Sequence, residues 1–256
     1  MGSPAVYFSQ GMILTDQEQF SAGSLAVVAT PIGNLADLSG RAAHYLREAD
    51  LILCEDTRHS RKLLDSCDAR AATTSYGSHN VRAKVPWVLE QLRAGKKVAL
   101  VCDAGTPGIS DPGSLLIRSV IQEAILVTMI PGAAALIPAL VLSGLRTDRF
   151  VFEGFLPHKK GRKTRLETIA KEPRTVVMYE SVHRIRKTLA ELLEHCGDRH
   201  AAVCRELTKL YEEIARGKLS ELVAHFEKKE PRGEFVIVLA GTEERTEQEE
   251  DDSDTP

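Results

Sequence analysis

Three loops rich in Gly and Pro, and several charged clusters, hold the residue types that could do chemistry. The longest loop runs Asp103-Ala-Gly-Thr-Pro-Gly-Ile-Ser-Asp-Pro-Gly113 and follows the apolar run Val98-Ala-Leu-Val-Cys102. That run has the length of a buried strand, and no helix or strand continues through such a density of Gly and Pro. A rigid loop with few bulky side chains therefore stands at the carboxyl end of a buried strand, where open α/β sheets bind ligands. Thr30-Pro-Ile-Gly-Asn34 and Pro131-Gly-Ala-Ala-Ala135 are shorter loops of the same kind. None is a P-loop or a dinucleotide fingerprint, because neither Gly-Lys-Ser/Thr nor Gly-x-Gly-x-x-Gly is present in them. Each alone reads equally well as a tight connection; three on one edge of one sheet would form a binding site.

The charged clusters also follow apolar runs. They are Glu55-Asp-Thr-Arg58, Tyr179-Glu180-Ser-Val-His183-Arg184 and Cys204-Arg205-Glu206-Leu-Thr208-Lys209. Such residues can cap helices or sit in solvent, and they can also form the polar wall of a cleft. The segment His158-Lys-Lys-Gly-Arg-Lys-Thr-Arg165 places Lys159, Lys160, Arg162, Lys163 and Arg165 within eight residues. Basic residues at a helix start oppose its dipole, so a bound phosphate backbone explains them better than a solvated surface does.

Elements that position these residues are legible as alternating apolar runs and amphipathic stretches. Strands are expected over 25–29, 51–54, 98–102 and 126–130, and helices over 39–49, 58–65, 81–94, 114–123 and 133–142. This alternation predicts a mostly parallel sheet with helices on both faces. A boundary is expected near Ser143 and Gly144. Beyond it, strands are expected over 150–153, 175–179, 201–204 and 235–239, and helices over 162–171, 182–195 and 219–228; 211–216 has no clear assignment. The organisation is thus a weakly ordered lead-in over 1–23, α/β domains over 24–144 and 145–242, and a disordered acidic tail over 243–256.

Composition bounds the rest. With 256 residues, 43% hydrophobic and 27% charged, the chain is a soluble globular protein with no expected membrane span. Five dispersed cysteines without zinc-ligand spacing point to reduced thiols, no metal and a cytoplasmic location. Residues 243–256 hold eight acids and one Arg. With a whole-chain charge of −3, residues 1–242 are left at about +4.

Taken together, Thr30-Pro-Ile-Gly-Asn-Leu-Ala-Asp37, Glu55-Asp-Thr-Arg58, His79-Asn80, Asp103-Ala-Gly-Thr-Pro107, Ile109-Ser-Asp-Pro-Gly113, Glu153-Gly-Phe-Leu-Pro157, Tyr179-Glu180, His183-Arg184, Arg205-Glu-Leu-Thr-Lys209 and Gly233-Glu234 resemble one family in content and order. It is the ribosomal RNA small subunit methyltransferase I group of the tetrapyrrole methylase-like superfamily. The resemblance implies two α/β domains of that type with the cofactor cleft between them, and a homodimer. It implies methylation by S-adenosylmethionine of a cytidine ribose 2′-hydroxyl in the decoding region of small-subunit (16S) RNA, naked or in the assembled 30S subunit. Carried over by motif, Ile32, Asp103, Ala104, Gly105, Thr106, Ala134, Ala135, Tyr179, Cys204 and Gly233 would hold the cofactor. Arg58, His79, Glu180 and Lys209 are the catalytic candidates, with Glu55, Asp56 and Arg205 as further groups that could supply a base or a cation to stabilise the alkoxide. Lys159, Lys160, Arg162, Lys163 and Arg165 would hold RNA. The alternatives are a porphyrinogen C-methyltransferase and a non-catalytic RNA-binding or assembly protein on the same fold. Pro131-Gly-Ala-Ala-Ala135 departs from the Pro-Gly-Pro-Ser-Ala common in the family, which removes a hydroxyl.

Overall fold

A computed structural model describes residues 20–228 and 230–243. The first sheet is all parallel, ordered β3-β2-β4-β1-β5, with β1 Leu25–Val28, β2 Leu51–Cys54, β3 Ala72–Ser75, β4 Val98–Leu100 and β5 Val127–Ile130. Four of its strands are apolar runs, and its central strands are buried on both faces, as a parallel sheet requires. The helices are α1 Gly40–Glu48, α2 Thr57–Ser66, α3 Val81–Arg93, α4 Gly113–Gln122 and α5 Leu136–Ser143. Ala26, Val28, Ile52 and Ala99 pack with Tyr45 and Leu46 of α1 on one face; Leu25, Val27, Leu53 and Leu100 pack with α3 and α4 on the other. Phe20, expected in a weakly ordered lead-in, is buried and stacks on Tyr45 with ring centroids 4.9 Å apart.

β3 has no counterpart among the expected strands. Its sequence Ala-Thr-Thr-Ser has no apolar run, and it forms because it is an edge strand, exposed to half-buried, that only needs to complete the ladder to β2.

The second sheet is mixed, ordered β6-β7-β10-β8-β9, with β6 Phe150–Phe155, β7 Thr175–Ser181, β8 His200–Arg205, β9 Glu213–Lys218 and β10 Glu234–Leu239. Only β6 and β7 run parallel; the other pairs are antiparallel. Residues 211–216 fall largely in β9. Helices α6 Arg162–Ile169, α7 Ile185–Cys196 and α8 Leu219–Lys228 cover one face through Val176, Met178, Val203 and Ile237. The other face, through Val177, Ala202, Cys204, Val236 and Val238, is covered by Leu136, Ala139 and Leu140 of α5. Thus α5, which follows the last strand of the first sheet, packs against the second. Gly144 ends α5 in the left-handed region at φ 75°, the usual helix stop.

Candidate active site

The three Gly/Pro loops follow β1, β4 and β5, which are neighbours in the first sheet, so the loops do stand side by side on one edge. A short antiparallel bridge between Thr30 and Gly105 ties the first two together, and the Thr106 hydroxyl donates to the Ala133 carbonyl at 2.9 Å to tie in the third. Gly132 is needed there: a Cβ on it would lie 2.9 Å from the Ala29 Cβ. Opposite them lie the ends of β6, β7 and β8 and the start of β10. Between the two sets is a cleft of about 610 Å³. Its lining includes Ile32, Ala104, Gly105, Thr106, Ala134 and Ala135 from the first half, and Tyr179, Cys204 and Gly233 from the second. Asp103 is not in the lining. Its Oδ1 instead accepts from the Asp56 backbone N–H at 3.1 Å, fixing the β2 loop against the β4 loop. The Tyr179 hydroxyl accepts from the Leu136 N–H at 3.2 Å, so a residue of β7 caps α5, whose own first turn has no side-chain cap.

Carboxylates ring this cleft: Glu55, Asp111, Glu206 and Glu234 all line it. Asp111 Oδ1 accepts from the N–H groups of Gly108 and Gly113 at 2.7 Å each, which holds the long loop in shape. Burial, and then the charges of Asp103 and Asp111, push Glu55 above the usual carboxylate range. Lys209 reaches across the cleft wall, its Nζ 3.0 Å from Glu206 Oε1 and 2.9 Å from Glu234 Oε2. Burial disfavours its charge, but the hydrogen bonds to Glu234 and Glu206 outweigh that and raise its pKa, so Lys209 is a cation rather than a base. Its stem lies over Gly33, where a Cβ would fall 2.4 Å from its Cγ.

The backbone here is strained. Ser110, Glu206 and Thr208 have φ of 57°, 51° and 66°, a region that costs a non-Gly residue about 1–3 kcal/mol. Ser110 and Glu206 line the cleft. Gly233, at φ 88°, leaves the space that Glu206 fills: a Cβ there would fall 2.3 Å from Glu206 Oε1.

A model of the tetrapyrrole (corrin/porphyrin) methylases matches residues 24–223. Over 221 residues, 86% of this chain and 100% of that protein, the chain is 46% identical to ribosomal RNA small subunit methyltransferase I of Thermotoga maritima. The chain belongs to the ribosomal RNA small subunit methyltransferase I family. The Synechocystis protein of that name is 48% identical over 86% of this chain and 79% of its own length. Among solved structures, a cobalt precorrin-4 methyltransferase superposes with a TM-score of 0.64 at 19% identity, covering 85% of this chain and 95% of that one. Uroporphyrin-III C-methyl transferase from Thermus thermophilus, complexed with S-adenyl homocysteine, gives 0.61 at 22%, covering 85% and 97%. These two share the fold.

Several residues singled out from the sequence stand elsewhere than the family motifs alone suggest. Glu180 borders the cleft, but its side chain is fully buried and its oxygens are taken. Oε1 accepts from Arg184 Nε at 2.8 Å and from the Ser181 N–H at 2.7 Å, and Oε2 accepts from the Thr188 hydroxyl at 2.6 Å. Both oxygens are thus engaged within the protein. Arg58 points outward, 91% exposed, and pairs with Asp56 at 2.9 Å. Asp56 caps α2 and is held at a pKa of about 2, chiefly by its hydrogen bond to the Arg58 side chain. His79 is not in the lining and stands by Gly77, where a Cβ would come within 3.4 Å of its ring. Arg162 is buried. It pairs with Glu191 at 2.6 Å and donates to Thr188 and to the Pro157 carbonyl, so it is not available to a phosphate. Arg165 is paired with Glu153 at 3.2 Å. Lys159, Lys160 and Lys163 remain exposed. Sequence reasoning missed Asp111, Glu234 and Phe155 as lining residues; each sits within one of the family motifs, but only the folded edge brings them together.

The described cysteines are all free and buried, and burial pushes the thiols of Cys54 and Cys204 up to about 11. No His/Cys/Asp/Glu group among the described residues has the arrangement of a metal site.

Proposed function

We propose that this cleft binds S-adenosylmethionine and directs its methyl group to a cytidine ribose 2′-hydroxyl in the decoding region of small-subunit ribosomal RNA. The observation that carries the reading is the cleft itself, joined to relatives 46–48% identical that are named for this RNA. Its volume suits a ligand of nucleoside size. Ile32, Tyr179, Cys204 and Val236 offer apolar surface, and the carboxylates Glu55, Asp111, Glu206 and Glu234 suit a ligand with a positive centre. Exposed Lys159, Lys160 and Lys163 suit a polyanionic acceptor better than a free tetrapyrrole.

The bound cofactor supplies a methyl group on a sulfonium, whose departure leaves a neutral thioether. The protein's task is then alignment and management of one proton. Lys209 stays charged and can steady a phosphate or a developing alkoxide. Glu55 is the lining carboxylate whose raised pKa suits a proton acceptor from a ribose hydroxyl. Aligning the acceptor oxygen with the methyl carbon is left to the rigid loops after β1, β4 and β5.

The reading includes a homodimer in the cytoplasm. Met129 on the edge strand β5, with Ile137 and Val141 one turn apart on α5, leaves apolar surface exposed. No helix among the described residues is long and apolar enough to cross a membrane. The test is tritiated methyl transfer from S-adenosylmethionine to unmodified small subunits, naked RNA and a porphyrinogen in parallel, with calorimetry of S-adenosylhomocysteine. Label in the 2′-O-methyl of one cytidine is expected. Label in the porphyrinogen alone, or no binding up to millimolar cofactor, overturns the reading.

A further inference from the structure

Phe155 is a large aromatic side chain, 52% exposed, in the wall of the cleft. Its position there results from a fault in the strand. Pairing between β6 and β7 runs Phe152 to Val177, then Gly154 to Met178 and Phe155 to Tyr179. Glu153 is therefore an extra residue, a bulge, and Gly154 beyond it takes φ 62°. In a regular strand Phe152 and Phe155, three residues apart, would face opposite sides of the sheet. With the bulge, both fall on the side of Tyr179. The rings meet edge to face, Phe152 to Tyr179 at 4.9 Å and Phe155 to Tyr179 at 5.6 Å. Gly154 also admits the β4 loop: a Cβ there would fall 2.8 Å from the Ser110 hydroxyl. The chain thus holds an exposed ring at the cleft mouth on a fixed aromatic support.

The turn after Phe155 is held equally firmly. Arg184 donates to the Leu156 carbonyl at 3.0 Å and Arg162 to the Pro157 carbonyl at 3.1 Å. Both arginines belong to the buried network of Glu180, Thr188 and Glu191. Lys159 and Lys160, just beyond the turn, are exposed. An aromatic face followed at once by cations is what single-stranded nucleic acid uses, the ring for a base and the cations for phosphates.

We propose that Phe155 is a stacking platform for an unpaired nucleobase of the RNA acceptor strand at the cleft mouth, with Lys159 and Lys160 holding the adjoining phosphates and Arg162 and Arg184 positioning the turn. This rests on the RNA methyltransferase reading and adds how that cleft holds its substrate.

The test compares Phe155→Leu, Phe155→Tyr and Phe155→Trp in the full chain, with unmodified small ribosomal subunits as acceptor. Leu keeps the apolar contact on Tyr179 but has no aromatic face. Loss of one stacked base is worth a rise of about tenfold or more in KM. The Leu variant should show that rise with kcat within about twofold, because a contact equal in ground and transition states changes KM alone. Tyr and Trp should restore the parental KM, and the affinity for S-adenosylhomocysteine should stay constant throughout. An unchanged KM in the Leu variant overturns the proposal. So does a loss of S-adenosylhomocysteine affinity that matches the rise in KM, which would make the ring a cofactor contact. If the parent itself moves no methyl to RNA, the reading of the site fails first and this inference falls with it.

Discussion

At the scale of single residues, the site separates groups that titrate from groups that hold. Lys209 bridges two carboxylates, one of them 76% exposed, so the bridge adds little to stability, about 0–1 kcal/mol. Lys209→Met should therefore melt within a few degrees of the parent and yet lose methyl transfer by tenfold or more, the equivalent of about 1.4 kcal/mol in the barrier. Thermal melts and single-turnover rates check this; equal activity would leave Lys209 as a surface tie. Glu55 behaves in the opposite sense. Its folded pKa is raised, so the folded state resists its ionisation, and stability falls as pH rises from the unfolded value through the folded one. Above the folded value the full cost is present. Glu55→Gln should accordingly gain melting temperature relative to the parent as pH rises, while lowering methyl transfer, and it should remove the acid limb of the pH–rate profile. A profile that keeps its acid limb would place the proton acceptor elsewhere.

At the scale of elements, the sequence was most legible where a strand is buried. β1, β2, β4 and β5 are apolar runs closed by Gly, Pro or charge, and all lie where the pattern puts them. β3 is made of Ala, Thr and Ser on an edge, and β9 alternates charge with small residues, so neither has an apolar signature. The reversal of direction in the second sheet was also hidden: β8 and β9 are joined by a short charged turn that resembles the other polar clusters. The roles of Arg162 and Glu180 were hidden for a physical reason. A charged residue after a strand reads the same whether solvent or a buried partner receives it. In the fold, Arg162 is 6% exposed and ties α6 to α7 through Glu191 and Thr188. Removing one member of a buried pair leaves the other uncompensated, at a cost of about 3–5 kcal/mol. Arg162→Met should thus lower the melting temperature by roughly 10 °C. Lys159→Met, a few residues away in the same basic segment, should melt like the parent. Calorimetry of the two variants separates them, and equal melting would return Arg162 to the surface.

At the scale of the whole molecule, the cleft depends on two sheets that the chain builds one after the other and then locks together through α5. The loops after β1, β4 and β5 supply backbone and little bulk, while the second sheet supplies Tyr179, Cys204 and the Lys209 bridge, so neither half alone presents the arrangement. The same two-part construction sets how the molecule meets a polyanion. Residues 1–242 carry about +4 by sequence, but the basic segment contributes fewer free cations than its five Lys and Arg imply. Arg162 is buried and Arg165 is paired with a Glu153 carboxylate only 12% exposed, which leaves Lys159, Lys160 and Lys163, the last in a long, solvent-exposed contact with Glu167 at 3.9 Å that screening keeps weak. Each cation on a single-stranded phosphate contributes about 0.7 to the slope of log K against log salt. The triple variant Lys159→Ala/Lys160→Ala/Lys163→Ala should therefore flatten the slope for RNA binding by about 2. Arg165→Ala alone should change it by much less, because its charge is already met by Glu153 within the protein. A salt titration of RNA binding with the parent and both variants decides the matter. An unchanged slope in the triple variant would make the segment a solvated helix start, and an equal change from Arg165→Ala alone would mean that the Glu153 pair opens to receive the RNA.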